Sequence, residues 1–257
     1  MIHPTAVVAS SAKVPSSCSV GPYCVIGESV ELGGNCELMS HVVLHGPAQI
    51  GSHNRFFPFC CIGAEPQDTT YAGQPTRVQI GDHNIFREYV TVNRGTAKGG
   101  GLTTLGSHIL FLAYSHVGHD CTVGDHAMLI NAATLAGHVT VGEWAVVGAL
   151  CAVHQFCRIG AHAYIGGGTI VTKDVLPFSK AVSPRDSRTY GLNSVGLERR
   201  GFGPERIRKI HHAFRVLLNS KLNTSQALEK LQAEGEQGED VDMLLQFIAE
   251  SKRGVIK

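Results

Sequence analysis

The sequence predicts a mainly β fold: a parallel β-helix of hexapeptide repeats followed by a C-terminal α-helical domain. Three observations predict it. Between residues 105 and 176 a large apolar residue returns at every sixth position, from Leu105, Phe111, Val117, Val123 and Leu129 through Leu135, Val141, Val147, Val153, Ile159 and Ile165 to Val171. A mostly small residue sits four places after each opener, as at Ser115, Cys121, Ala127, Ala133, Ala145, Cys151, Cys157, Ala163 and Thr169. From about Leu192 that pattern gives way to apolar residues at helical spacing. A fixed short period over many units marks a repeat architecture.

A period of six suits neither a helix nor an alternating strand. It suits a short strand plus a corner, with three such faces closing one coil. The opener fills the interior, and the small residue fits where the wall bends. Stacked coils bury a continuous core.

The hexads begin at once, with Ile2, Val8, Val14, Val20, Ile26, Leu32, Leu38, Leu44, Ile50, Phe56 and Ile62 in an unbroken step. Residues 64–78 keep the count but lose the pattern, and Pro66, Gly73 and Pro75 make them a loop. The repeat resumes at Ile80, Phe86 and Val92. A second loop, 94–104, shifts the phase by one. Loops that interrupt a regular scaffold often carry function. Residues 177–188 lack periodicity and read as a connector, so the β-helix is assigned 1–188 and the helical domain 189–257.

In the tail Gly203-Pro204 opens a first helix, carrying Ile207, Ile210, Phe214, Leu217 and Leu218. Thr224 or Ser225 caps a second. Asp240 opens a third. This domain is expected to cover the open end of the solenoid or pack beside it, because solenoids need capped ends.

Composition narrows the function. A net charge of +1 over 257 residues points to neither nucleic acid nor a membrane surface. No apolar run approaches transmembrane length, and the N-terminus shows no leader pattern, so a cytoplasmic location is expected. Seven of the eight cysteines (Cys18, Cys24, Cys36, Cys60, Cys121, Cys151 and Cys157) fall at the small position, which reads as buried packing rather than disulfide or metal chemistry. Cys61 is the exception.

Stacking the coils collapses His116, His119, His138 and His154 onto one short arc of the wall. Gly137 and Gln155 share the column of His119, and Asp120 that of His138. None of these histidines is an opener or a small-position residue, so their side chains should face outward. A second column, His108, His126, Trp144 and His162, stacks equally well and can be a simple surface ladder. An imidazole suits general-base work on a hydroxyl. A glycine N–H one coil away suits a tetrahedral oxyanion. The pair points to direct acyl transfer from a thioester to an alcohol, with Asp120 as a further catalytic residue. A site this shallow needs a second surface to exclude water, which suggests a cyclic oligomer.

The stretches HVGHDCTVG (116–124), NAATLAGHVTVG (131–142), VHQFCRIGAHAYIGGG (153–168), YAGQPTRVQIGDHN (71–84), VNRGTAKGGGLT (92–103) and GLERRGF (196–202) resemble the UDP-N-acetylglucosamine 3-O-acyltransferase family over essentially the whole chain. The resemblance implies a left hand for the β-helix, where the general rule for parallel crossovers favours the right. It implies a homotrimer with sites between subunits, and transfer of a (3R)-3-hydroxyacyl chain from acyl carrier protein to the 3-hydroxyl of UDP-N-acetylglucosamine, the first step of lipid A synthesis, with no cofactor and no metal. By the same resemblance His119 is the base and Gly137 the oxyanion donor. Gln67, Asp68, His116, His138, His154 and Gln155 line the substrate, and Asn193 and Arg199 lie at the nucleotide end. Gly167 is the acyl-chain ruler, and a glycine there implies a long chain.

Four departures from the family pattern are present: Thr70, where a lysine is frequent; Asn93, where some members have histidine; Ser183-Pro184-Arg185 in place of a glycine-asparagine turn; and Val195 in place of a glutamate. They leave open a 3-amino sugar as acceptor. Arg200, Arg206, Arg208, Lys209 and Arg215 crowd the start of the tail and offer a dock for an acidic carrier protein, although they can equally be solvated helix faces. The rivals are a β-helix carbonic anhydrase with histidine-bound zinc, an inactive scaffold, and the related N-acyltransferase. The RRGF tail and the lack of an N-terminal sugar-binding domain favour the O-acyltransferase.

Overall fold

A computed structural model describes residues 1–182, 188–219, 221–235 and 238–256. The described residues form three sheets of nine, seven and ten strands, parallel except for the last strand of the ten, and these are the three walls of a left-handed prism. Each hexad contributes one short strand to one wall, so consecutive strands in a wall are one coil apart: His116–Val117 pairs with Thr134–Leu135, which pairs with Ala152–Val153. Every opener from Leu105 to Val171 is buried, as is every cysteine at a small position. The first coil differs. Ile2 is 47% exposed, and Val8 and Val14 are half-buried, because no coil of the described residues lies beneath them.

The walls meet at single residues three places after an opener, and the non-glycine ones hold φ between 56° and 67°. That conformation is costly for side chains with a Cβ. Stacking offsets part of the cost. On one edge the rings of Tyr23, His41, Phe59, Tyr89 and Tyr114 lie 4.8–5.1 Å apart. On the second edge His53, His83, His108, His126, Trp144 and His162 form the ladder that the spacing predicted. The third edge carries Asp120, His138 and Phe156.

Neighbouring coils are normally 18 residues apart, but the separation grows to 30 and then 25 where the loops leave. The core is reinforced there. Phe56, Phe86 and Phe111 stack face to face inside the prism. At the small positions Asn54 and Asn84 replace alanine or cysteine. Each amide donates to two glycine carbonyls, and the two accept from the Asn84 and Ile109 N–H groups. Buried amides are tolerable only when satisfied in this way.

The loops are shorter than the lost pattern suggested. Cys61–Ala64 and Arg77–Ile80 are strands, which leaves 65–76 as the first loop. Leu102–Leu105 is a strand, so the second is 94–101, with a single turn of 3₁₀-helix at Ala97–Gly99. The connector is also partly sheet. Ser179–Val182 extends one wall, and Arg188–Leu192 pairs back on it antiparallel, which carries the β structure past 188. Ser183-Pro184-Arg185 lies outside the described residues.

Four helices follow: α1 Ser194–Arg199, α2 Pro204–Asn219, α3 Thr224–Ala233 and α4 Glu239–Ala249. The short α1 has no sequence signal of its own. The cap of α3 is Asn223, which forms a reciprocal capping box with Gln226, rather than Thr224 or Ser225. Leu176 and Phe178 of the last coil join Leu197, Ile210, Phe214, Leu217, Leu231 and Leu244 in a second core, so the helices pack on that end of the prism. The chain then returns. Ile256 enters the β-helix core, and Asp174 pairs through its backbone with Gly254 and Ile256.

Candidate active site

The strand His116–Val117 ends in Gly118, and the chain then turns through His119 and the left-handed corner at Asp120. In a regular corner the N–H bonds to the coil below, as His138 N does to His119 O. Below Asp120 the second loop intervenes, and its N–H donates instead to the buried Thr103 hydroxyl at 2.8 Å. The carboxylate turns into the second loop and is almost fully buried. It accepts from the Thr96 N–H (2.8 Å), the Thr96 hydroxyl (2.6 Å) and His119 Nδ1 (2.8 Å). A carboxylate so surrounded is an acceptor, so His119 carries its proton on Nδ1 and presents Nε2 as a base. The second loop makes this possible through glycine: a Cβ on Gly99 would fall on the Asp120 carboxylate, and one on Gly95 would crowd it.

One coil above, Gly137 lies flat against the His119 ring, and a Cβ there would collide with the imidazole. On the second edge the N–H groups at this hexad position are taken by side chains, for example Ser52 by Asp82 and Ser107 by Asp125. Among the described residues, no side chain takes the Gly137 N–H. It is a backbone donor beside the His119 ring, an arrangement suited to holding an oxyanion.

Around this pair, His138 stands edge-on to His119 at 5.1 Å and keeps its Nε2 3.7 Å from Asp120. His116 Nδ1 meets Thr91 Oγ1 at 2.7 Å. Burial, and next the neighbouring His119, pushes the His116 imidazole below its ordinary pKa. His154 and Gln155 are exposed one coil higher, His154 Nδ1 contacting Gln155 O. In the first loop Asp68 accepts from both the N–H and the hydroxyl of Thr70. Those two bonds, assisted by the His119 and Lys98 charges, hold its carboxyl below the usual range. Gln67 is exposed on the same loop.

Asn193 sits where the last strand meets α1, and its amide donates to His162 O. Arg199, in the last turn of α1, is exposed. Gly167 is exposed beside Leu150 and Ile170, and a Cβ on it would meet only Ala149. The outward column His116, Thr134, Ala152, Ile170 joins the histidines to this region along one wall, without a charge.

The proposed basic dock is narrower than the charge count. Arg200 is turned inward with its guanidinium over Trp144. Arg206 is bound bidentately to Asp240 and lies over Phe202. Arg215 contacts His212, and Lys209 lies 3.9 Å from Glu205. Arg208 is exposed and lines a cavity of about 420 Å³ with Phe202, Ile207 and His211. In the second ladder, His162 is not a surface group. It is buried between Trp144 and Phe178, with Phe202 edge-on to it.

Thr91, Thr96, Lys98 and Thr103 escaped sequence reasoning. The glycine-rich RGTAKGGG stretch is the signal for Thr96 and Lys98, and it marks close approach without saying to what; Thr91 and Thr103 lie outside it. His119, Asp120 and His138 offer ligand atoms within 4.8 Å of one another. Three donors already occupy the Asp120 carboxylate, so a metal would have to displace them.

A coiled wall of hexapeptides with an imidazole–carboxylate pair and a backbone N–H on its outer surface defines a class, the hexapeptide-repeat acyltransferases. The description "Udp N-acetylglucosamine O-acyltransferase; Domain 2" matches residues 174–256. The acyl-[acyl-carrier-protein]–UDP-N-acetylglucosamine O-acyltransferase of Stenotrophomonas maltophilia is 44% identical over 100% of this chain and 97% of its own. That of Alkalilimnicola ehrlichii is 49% identical over 77% of each. The crystal structure of the Francisella novicida UDP-N-acetylglucosamine acyltransferase superposes with a TM-score of 0.97 at 40% identity, covering 100% of this chain and 94% of that one. This chain belongs to the acyl-[acyl-carrier-protein]–UDP-N-acetylglucosamine O-acyltransferase family.

Proposed function

We propose that the protein transfers a (3R)-3-hydroxyacyl chain from acyl carrier protein to the 3-hydroxyl of UDP-N-acetylglucosamine, the opening step of lipid A synthesis, in one direct displacement. His119 Nε2 takes the hydroxyl proton as the sugar oxygen bonds to the thioester carbon. The carbonyl oxygen becomes an oxyanion on the Gly137 N–H. The carbon–sulfur bond then breaks, and the proton on His119 goes to the departing thiolate. Asp120 holds the imidazole in the one tautomer that can do this and stabilises its cation. The observation that carries the reading is the contact of the Gly137 backbone with the His119 ring above a buried, fully donated Asp120 carboxylate.

Asp68 meets the acceptor sugar, and Asn193 and Arg199 the nucleotide. The column Thr134, Ala152, Ile170 leads the acyl chain toward Gly167, where the missing side chain leaves room for a long one. Arg208 anchors the carrier-protein dock, since the charges of Arg200 and Arg206 are committed elsewhere. The enzyme acts in the cytoplasm without a cofactor. It acts as a homotrimer: the exposed aromatic edge from Tyr23 to Tyr114, beside Val7 and Val25, is an apolar stripe that a second copy would cover. Among the described residues, no helix is long and apolar enough to cross a membrane.

The test is transfer from a series of (3R)-3-hydroxyacyl carrier proteins to UDP-N-acetylglucosamine. An alkali-labile 3-ester, lost in His119→Ala, is expected. An alkali-stable amide formed only on the 3-amino sugar would reassign the acceptor, and stoichiometric zinc with carbonic anhydrase activity would replace the reading.

A further inference from the structure

The two loops that leave the prism are tied together at both ends. At their roots Arg94 donates to Gly63 O, to Glu65 and to the Tyr71 hydroxyl. At their tips Lys98 Nζ donates to Thr70 Oγ1 at 3.1 Å. The direction of that bond matters. A threonine hydroxyl has one proton and two lone pairs. Thr70 gives its proton to Asp68 Oδ1 at 2.8 Å, and its N–H donates to the same oxygen at 2.7 Å. Lys98 therefore takes a lone pair, and an ammonium on that side polarises the hydroxyl toward the carboxylate. The other flank of Lys98 is equally committed. Thr96, two residues before it, donates twice to Asp120, and Gly99, one residue after it, lies against that carboxylate. A continuous path thus runs from the His119 imidazole through Asp120 to Thr96 by hydrogen bonds, along the backbone of the 3₁₀ turn to Lys98, and by hydrogen bonds through Thr70 to Asp68.

We propose that Lys98 is a positioning residue for the acceptor: it latches the loop carrying Asp68 to the loop that buttresses His119 and Asp120, and so fixes the carboxylate that meets the sugar relative to the base that deprotonates it. This rests on the acyltransferase reading above. The latch is a solvent-exposed bond between loop tips, so its loss leaves the prism and the dyad intact and loosens Asp68 alone. The effect belongs in recognition of the nucleotide sugar and not in the chemical step.

The experiment measures UDP-N-acetylglucosamine binding by calorimetry and steady-state transfer for the full-length wild type, Lys98→Met, Lys98→Arg, Thr70→Val and the Lys98→Met/Thr70→Val double variant. Lys98→Met is expected to weaken binding and raise KM for the nucleotide sugar about five- to twentyfold, the lower part of what a charge-assisted hydrogen bond contributes, because solvent screens this exposed one. Its kcat and its KM for acyl carrier protein should stay within about twofold of wild type. Lys98→Arg should restore most of the loss, and the double variant should be no weaker than Thr70→Val, because both break one chain. A Lys98→Met enzyme that binds and turns over like wild type, a fall confined to kcat, or a failure of arginine to rescue would each overturn the latch while wild-type transfer upheld the function. A wild type that neither binds nor acylates the nucleotide sugar would overturn the function and the latch with it.

Discussion

The proposed role of His119 depends on three groups that are not histidine and that surround it. Asp120 fixes the tautomer, Gly137 leaves the ring its space, and Thr96 keeps the carboxylate aimed. Asp120→Asn keeps the shape but offers the imidazole an amide, so kcat is expected to fall about 10²-fold or more with little change in nucleotide-sugar KM. Gly137→Ala drives a methyl into the imidazole and should cost at least as much. Single-turnover transfer rates check both. A second residue carries a pH signature. Burial, then the Arg200 and Arg206 charges, depresses His162 from 6.5 to about 4, and Asp240 only partly opposes them. The unfolded chain takes up a proton near pH 6.5 and the folded chain does not until about pH 4. Stability present above that window is therefore lost as pH falls through it, by up to about 3 kcal/mol. His162→Phe should abolish this slope in chemical denaturation between pH 4 and 7. A phenyl is acceptable there, since Phe156 and Phe178 hold the same corner conformation.

At the scale of the element, the second loop is a clamp rather than an insertion. Its 3₁₀ turn puts Thr96, Gly95 and Gly99 around one carboxylate. Gly99→Ala is expected to displace Asp120 and lower kcat about 10²-fold while the melting temperature moves little, because the turn is exposed and the prism wall is untouched. Circular dichroism melts beside transfer assays would separate the two effects. The core beneath the loops behaves oppositely. Phe86 stacks between Phe56 and Phe111 across both interruptions, and Phe86→Ala should cost about 3–5 kcal/mol of stability.

For the whole molecule, the prism is closed at its last coil by its own C-terminal segment. Ile256 is buried in the β-helix core. The buried Asp174 carboxylate accepts from Arg158 N and Ser251 Oγ, and Thr189 Oγ1 donates to Ile256 O. Ile256→Ala is expected to destabilise by about 2–4 kcal/mol and to free the tail to proteases, although it lies far along the chain from the site. The proposed trimer has its own test. Tyr114→Glu places a charge in the aromatic edge and should yield monomers in sedimentation, with transfer lost as the shared cleft disappears.

How much of this was legible follows from the kind of information each feature needs. The period of six, the buried openers, the cysteines as packing residues and the meeting of His119, Asp120, Gly137 and His138 were readable in one dimension. A solenoid turns sequence separation into height, and counting coils is then nearly the same as measuring distance. The family pattern added the left hand, which local periodicity does not encode. The tertiary structure decided whatever breaks the count. Residues 65–76 and 94–101 leave the wall, so their contacts obey no period. Only folding brings Thr96 to Asp120, Lys98 to Thr70 and Arg94 to Tyr71. The same holds in the tail, where Arg200 and Arg206 count as surface charge in the sequence but are drawn onto Trp144 and Asp240 by packing. The repeat determined where His119 stands, and long-range contacts outside the repeat determined what surrounds it.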